Sequence, residues 1–378
     1  MTDDENRWKW NKFVEIGNSI HKMRGVVRTE KSKAALNFSN DLLRTKYITD
    51  SKERYELYET LLPKIAEYLD GNAQVIQAAV REYFFFQHGM AGLDESLFDI
   101  TFSPKKSGIQ TGFTCDVNNG TQSTRYYIKT HQHGPTEDNV KSIKPPDTKE
   151  LFVYKLLNHI GMGPQVHFIV PSHGTKKTIY IATKDCHLVL LSNLTKDTAN
   201  NNALLQLDLI SRILCLRDCA TNTSNCGQVD EKAMIVDFRI EKQSSGYVKP
   251  DILDKFYEGN SEFHYSGLMA TAVKTPHAVK MDIMKKSIQE WKLLESIEWA
   301  ESEINGLVKR CSGKMRFEDD LRQYVKDLKA TVEVLEKSWE INQFSVYAFA
   351  FKYWEFLLNG AKKITVVNYG VTINKTVT

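Results

Sequence analysis

The hydrophobic repeat of this chain changes near Leu97, and the change limits what it can fold into. Upstream, Tyr55, Tyr58, Leu61, Leu62, Ile65 and Leu69 recur at steps of three and four, as one face of a helix requires. Trp8, Trp10, Phe13, Val14 and Ile20 are apolar positions in an earlier polar stretch. Ala78, Val80, Tyr83 and Phe84 to Phe86 predict a further helix, ended by Gly89. Downstream, Phe98, Ile100 and Phe102 alternate with polar residues, and so do Phe113, Cys115 and Val117. That alternation predicts strands, separated by the turn residues of Pro104 to Gly108. Asn118-Asn119-Gly120 marks another turn, and Arg125 to Lys129 a third strand.

After Pro145-Pro146, Asp147 or Thr148 suits the cap of a helix from Lys149 to His159, stopped by Gly161 and Gly163-Pro164. Strand-like runs follow at 165–170 and 178–183. Leu204 to Leu216 reads as helical and Ala233 to Phe238 as a short buried strand. A helix around Ile283 to Leu307 and one over 317–339 suggest a packed helical hairpin, and the tail from Ile364 to Val377 alternates like an edge strand. The order β-β-β-α-β-β and then helices predicts an α+β chain.

The apolar fraction of 42% and charged fraction of 26% over 378 residues suit a globular chain with ample core. A net charge of +3, with lysines scattered, gives no reason to expect a nucleic-acid or membrane surface. Met1 to Arg7 is acidic and polar, unlike a signal peptide, and no apolar run approaches a membrane span. The expectation is a cytoplasmic, or else nuclear, protein that is not secreted. Cys215, Cys219 and Cys226 cluster, but they form no CxxC pair and no His lies near them in sequence, so ordinary reduced thiols are expected rather than a zinc site.

The chemistry points to Leu216-Arg217-Asp218-Cys219-Ala220-Thr221-Asn222-Thr223-Ser224-Asn225 and the apolar run that ends in Asp237. An aspartate, then amides, then a second aspartate closing a β-type run is the layout phosphoryl transfer demands. One carboxylate orients a hydroxyl, while an amide and a second carboxylate hold the Mg²⁺ that bridges the phosphates. Taken singly, Asp218 also suits a turn cap, Asp237 a strand end, Lys129 a solvated strand end and Glu150 a helix N-terminus.

The element order and this loop together resemble the protein-kinase-like fold, closest to its atypical branches: HipA-type kinases, lipid-kinase-like enzymes and aminoglycoside-phosphotransferase-like kinases. The resemblance covers about residues 97–360. It implies a two-lobed α+β fold: a helical extension at 1–95, a small antiparallel sheet lobe at 96–185, a helical lobe at 186–360 and a strand-like tail at 361–378. It also implies ATP and Mg²⁺ as cofactors. Lys129 falls where the family grips the α- and β-phosphates, and Glu150 where it supplies that lysine's ion-pair partner. Gly108 and Gly112 flank the loop whose N–H groups would cover phosphates. Ala182 to Lys184 corresponds to the hinge that receives adenine. Asp218 matches the catalytic aspartate, Asp237 the metal-binding strand end, and Asn222 or Asn225 the metal-binding amide. Lys129 precedes Glu150 by about twenty residues and Asp218 by some ninety, and Asp237 follows about twenty later, a rhythm similar to the family's.

The chain departs from the pattern at four points. The family's amide lies five residues after the catalytic aspartate, where this chain has Thr223. Leu216 stands in place of a His, Arg239 in place of the Gly after Asp237-Phe238, and the glycine-rich loop is incomplete. The resemblance therefore implies a phosphotransferase acting on an unknown protein or small-molecule hydroxyl. The alternative is a pseudokinase that binds or regulates without transfer, and a third reading is a helical interaction protein with a small sheet.

Overall fold

The computed structural model describes residues 76–337, apart from breaks at 90–91, 93–94, 105–109, 111, 136–143, 173–175, 220–221, 242–246, 248–250, 259–273 and 319, and the backbone of strands within 363–376. The expectations for helices before residue 76, for the turn at Lys105 to Gly108 and for residues 338–360 lie outside the described residues.

The chain is α+β. Residues 76–89 form helix α1, a 3₁₀ turn spans Glu95–Leu97, and strands β1 (Asp99–Pro104), β2 (Gly112–Asn118) and β3 (Ser123–Thr130) follow. Helix α2 (Thr148–His159) leads to β4 (Val166–Ile169) and β5 (Tyr180–Lys184). These five strands make one antiparallel sheet in the order β1-β2-β3-β5-β4, so β5 lies between β3 and β4, the two strands that α2 connects. Asp147 caps α2: its side chain accepts the Lys149 N–H, and the adjacent β-bridge ties it to Glu318.

Period-two alternation divides the sheet into two faces. Ile100, Cys115, Ile128, Ile169, Tyr180 and Ala182 pack against Ile76, Ala79, Val80 and Phe84 of α1, so that helix shares a core with the sheet. Ile181 instead joins the larger core built around α2 and the helices that follow.

Beyond β5 come β6 (Val189–Leu190), α3 (Asn201–Ile213), β7 (Leu216–Arg217), β8 (Cys226–Val229), β9 (Lys232–Ile235) and β10 (Arg239–Ile240). Strands β6, β8 and β9 form a small sheet, and β7 pairs with β10. Helices α4 (Ile252–Glu258), α5 (His277–Glu290), α6 (Leu293–Arg310) and α7, over residues 321–337, complete the core with α2 and α3. The buried Lys280 of α5 donates to the Phe256 and Tyr257 carbonyls at 3.1 and 3.2 Å, placing a cation against the last turn of α4.

Two expected elements are divided. The helix around Ile283 to Leu307 is two helices, because Lys292 adopts φ 43° and turns the chain. The tail is a hairpin, Lys363–Asn368 against Val371–Thr376, rather than one edge strand. Among the described residues no helix is long and apolar enough to cross a membrane.

Candidate functional site

Alternation along β3 sends Tyr126 and Ile128 toward α1 and leaves Lys129 for the opposite face. In register, Lys129 lies between Gly112 of β2 and Ile181 of β5. Gly112 has a local reason to be glycine: a Cβ there would meet the Ile128 carbonyl oxygen at 2.0 Å. Lys129 Nζ reaches Oδ1 of Asp237 at 2.5 Å, joining residues 108 positions apart. The same oxygen accepts the Phe238 N–H at 3.0 Å, which fixes the carboxylate against its own backbone.

Helix α2 contributes Glu150 and Tyr154, four residues apart and so on one face. The Glu150 carboxylate accepts the Gln132 N–H, at 2.9 Å to Oε2 and 3.2 Å to Oε1. The implied Lys129–Glu150 ion pair is therefore redistributed. Asp237 takes the ammonium, and Glu150 acts on it through space while binding the backbone just beyond β3. Burial works against the Lys129 charge, but Tyr154, Asp237 and Glu150 outweigh it and hold Lys129 above its ordinary range. Burial pushes the Glu150 carboxyl up to about 7, against the pull of Lys129 and the Gln132 N–H. Tyr154 packs its ring 4.5 Å from that of Phe238, and Lys129 Nζ lies 5.3 Å from the Tyr154 ring centroid.

Two backbone hydrogen bonds link Asp218, Asn222 and Asn225. Asp218, at φ 66°, accepts the Asn222 N–H at 3.1 Å, and Asn222 accepts the Asn225 N–H at 2.9 Å. The two amides then differ in what they have left to offer. Asn222 Oδ1 already accepts the Ser224 N–H at 3.2 Å. Asn225 Nδ2 donates to the Asp218 carbonyl at 3.2 Å, which orients the amide and leaves Oδ1 without a partner among the described residues. The Asn225 carbonyl accepts the N–H groups of Val236 and Asp237, at 2.9 and 3.3 Å, so Asn225 sits directly beside Asp237.

Asp218 is engaged as well: Arg239 Nε reaches its Oδ2 at 2.8 Å, with both side chains partly exposed. Arg217 pairs with Glu241, and the β7–β10 ladder sets Arg217 opposite Arg239. In the sequence Arg239 stands where the resemblance has a glycine, and its charge, two residues beyond Asp237, is the signal for this pair.

Ala182 and Lys184 lie within β5, paired with Ile128 and Tyr126. Ala182 is buried on the α1 side of the sheet, and the chain leaves the sheet over residues 185–188, just beyond the expected hinge. Gly108 lies outside the described residues.

Three groups that the sequence did not single out support the site. Gln132 anchors Glu150. Lys149, the neighbour of Glu150, is buried and pairs with Asp147 at 3.1 Å and with Asp320, tying the start of α2 to the segment before α7. Tyr154 flanks Lys129. The clustered thiols meet backbone: Cys215, Cys219 and Cys226 donate to the carbonyls of Tyr247, Asp237 and Cys219. Among the described residues no three His, Cys, Asp or Glu side chains gather as metal ligands. The oxygen donors of Asp237 and Asn225 fit a hard cation that takes its remaining ligands from water and phosphate, as Mg²⁺ does. No protein-family model and no curated protein matches this chain.

Proposed function

We propose that the chain is an ATP- and Mg²⁺-dependent phosphotransferase of the protein-kinase-like kind, acting on a protein or small-molecule hydroxyl. The observation that carries this reading is the Lys129–Asp237 ion pair, which joins a sheet lysine to the aspartate that follows β9. The sheet order β1-β2-β3-β5-β4, with α2 between β3 and β4, agrees with the resemblance drawn from the sequence.

In this reading bound ATP with Mg²⁺ supplies the phosphoryl group to be transferred. Lys129 binds phosphate oxygens, and Glu150, held on the Gln132 N–H just beyond β3, lies behind it. Asp237 and Asn225 hold the cation with oxygen donors. Asp218 orients the acceptor hydroxyl and takes its proton, the role a carboxylate fills when transfer depends on positioning.

A second reading, a pseudokinase that binds without transfer, draws on the Asp218–Arg239 pair, because a carboxylate occupied by a guanidinium is not open to an acceptor hydroxyl. ATP turnover measured with and without Mg²⁺, in the native chain and in Asp237→Ala, tests the first reading. Turnover that needs Mg²⁺ and is lost in the variant supports it. No turnover, together with nucleotide stabilisation that is indifferent to Mg²⁺, favours the second.

A further inference from the structure

The Tyr154 hydroxyl is a buried polar group of this site that makes no well-formed hydrogen bond among the described residues. Tyr154 is only 2% exposed. A buried hydroxyl without a partner is destabilising, whereas phenylalanine fills nearly the same space without that penalty. The ring is already held, by Phe238 on one side and by α2 beneath it. Packing therefore accounts for an aromatic residue here but not for its oxygen.

The neighbour that gives the oxygen a use is Lys129. Its ammonium stands by the Tyr154 ring and spends its ion pair on Asp237. Asp237 cannot serve two cations equally. Once its carboxylate coordinates Mg²⁺, the attraction that holds Lys129 falls, and the ammonium needs another acceptor close by. Glu150 shares the Gln132 N–H between its two oxygens and acts on Lys129 through space, without a hydrogen bond to the ammonium among the described residues. Among the described residues the Tyr154 oxygen makes no well-formed hydrogen bond, only a loose approach to the Lys129 ammonium that can tighten.

We propose that Tyr154 is a positioning residue for Lys129 in the metal-loaded state: its hydroxyl accepts the ammonium when Asp237 turns to Mg²⁺, keeping Lys129 directed at the phosphates of a nucleotide. The inference rests on the phosphotransferase reading and deepens it. It makes the resting Lys129–Asp237 pair and the loaded Lys129–Tyr154 pair alternatives controlled by the metal.

The test is Tyr154→Phe in the full chain, with ATP affinity measured by calorimetry in EDTA and in excess Mg²⁺, and with thermal melting of the ligand-free protein. In EDTA, Asp237 still holds Lys129, so variant and native chain bind ATP alike. In Mg²⁺ the variant binds about tenfold more weakly, the loss of one hydrogen bond to a charged group. The ligand-free variant melts at the same temperature or higher, which a residue conserving only packing would not couple to a loss of binding. Equal affinities in Mg²⁺, or an equal loss with and without it, overturn the inference and leave the phosphotransferase reading standing. A native chain that binds no ATP in either condition overturns that reading, and this inference with it.

Discussion

Lys129 Nζ and Asp237 Oδ1 meet at 2.5 Å, yet their surroundings differ: the lysine side chain is 17% exposed and the aspartate 48%. The two halves of the pair should therefore respond differently to removal. Asp237→Ala strands a buried ammonium and is expected to cost about 2 kcal/mol of stability, after allowance for solvent near the aspartate. Lys129→Met keeps the buried stem and leaves a carboxylate that water reaches, so its cost is expected to stay below about 1 kcal/mol. Urea unfolding of the two variants reads the asymmetry, and equal costs would contradict it.

The two amides of the Asp218 loop separate in the same manner. Asn225→Ala removes the donor to the Asp218 carbonyl and a side-chain oxygen that no described residue uses, on the residue whose backbone meets Asp237. It is expected to abolish the Mg²⁺-dependent part of nucleotide stabilisation. Asn222→Ala loses a local turn bond to Ser224, at about 0.5–1 kcal/mol of stability, and should leave the Mg²⁺ response intact. Melting curves with nucleotide, with and without Mg²⁺, distinguish them.

Arg239 competes with any acceptor for Asp218. Because the pair is exposed, Arg239→Ala should change stability by less than about 1 kcal/mol. Freed of the guanidinium, the Asp218 carboxylate is open to the acceptor hydroxyl, and ATP turnover should rise by up to about fivefold, the rate equivalent of that interaction. Steady-state rates at saturating ATP measure it; an unchanged or lower rate would mean that Arg239 is not a restraint.

Much of the fold was legible because it obeys two short periods. The strands of the sheet alternate cleanly, and α2 carries a cap and a glycine stop in its sequence. The break at Trp291 and Lys292 had no such signal. It contains neither Gly nor Pro, and the buried positions Ile288, Trp291, Leu293 and Ile297 continue nearly in helical step across it. The tail hairpin is not readable in the sequence because alternation alone does not identify a strand's partner. At the site, residue types were legible and partners were not. Which carboxylate meets Lys129 depends on Gln132, whose N–H lies just past the end of β3 and claims Glu150, a contact that no spacing encodes. The role of Lys149 is hidden for a similar reason: its partner Asp320 lies 171 positions away.

The buried titratable groups give a pH signature with two opposing slopes. Glu150 has its carboxyl raised by burial from an ordinary value of 4.5 to about 7. A raised folded value means that the native state holds the proton more tightly. The contribution of Glu150 is therefore fully present below pH 4.5 and is lost as pH rises through 7, a change of about 3 kcal/mol. Burial depresses His131 and His167 from 6.5 to about 4, so their contribution is present above pH 6.5 and is lost as pH falls through 4. Between these limits the slopes partly cancel in the native chain. Glu150→Gln removes one of them, since a neutral amide oxygen still accepts the Gln132 N–H. The variant should be the more stable protein above pH 7. Its stability should then fall continuously with acid from pH 6.5 to 4, more steeply than that of the native chain. Denaturant unfolding across pH 4 to 8 measures both curves. Parallel curves would mean that Glu150 titrates near its ordinary value and that the charge balance around Lys129 is set by Asp237 alone.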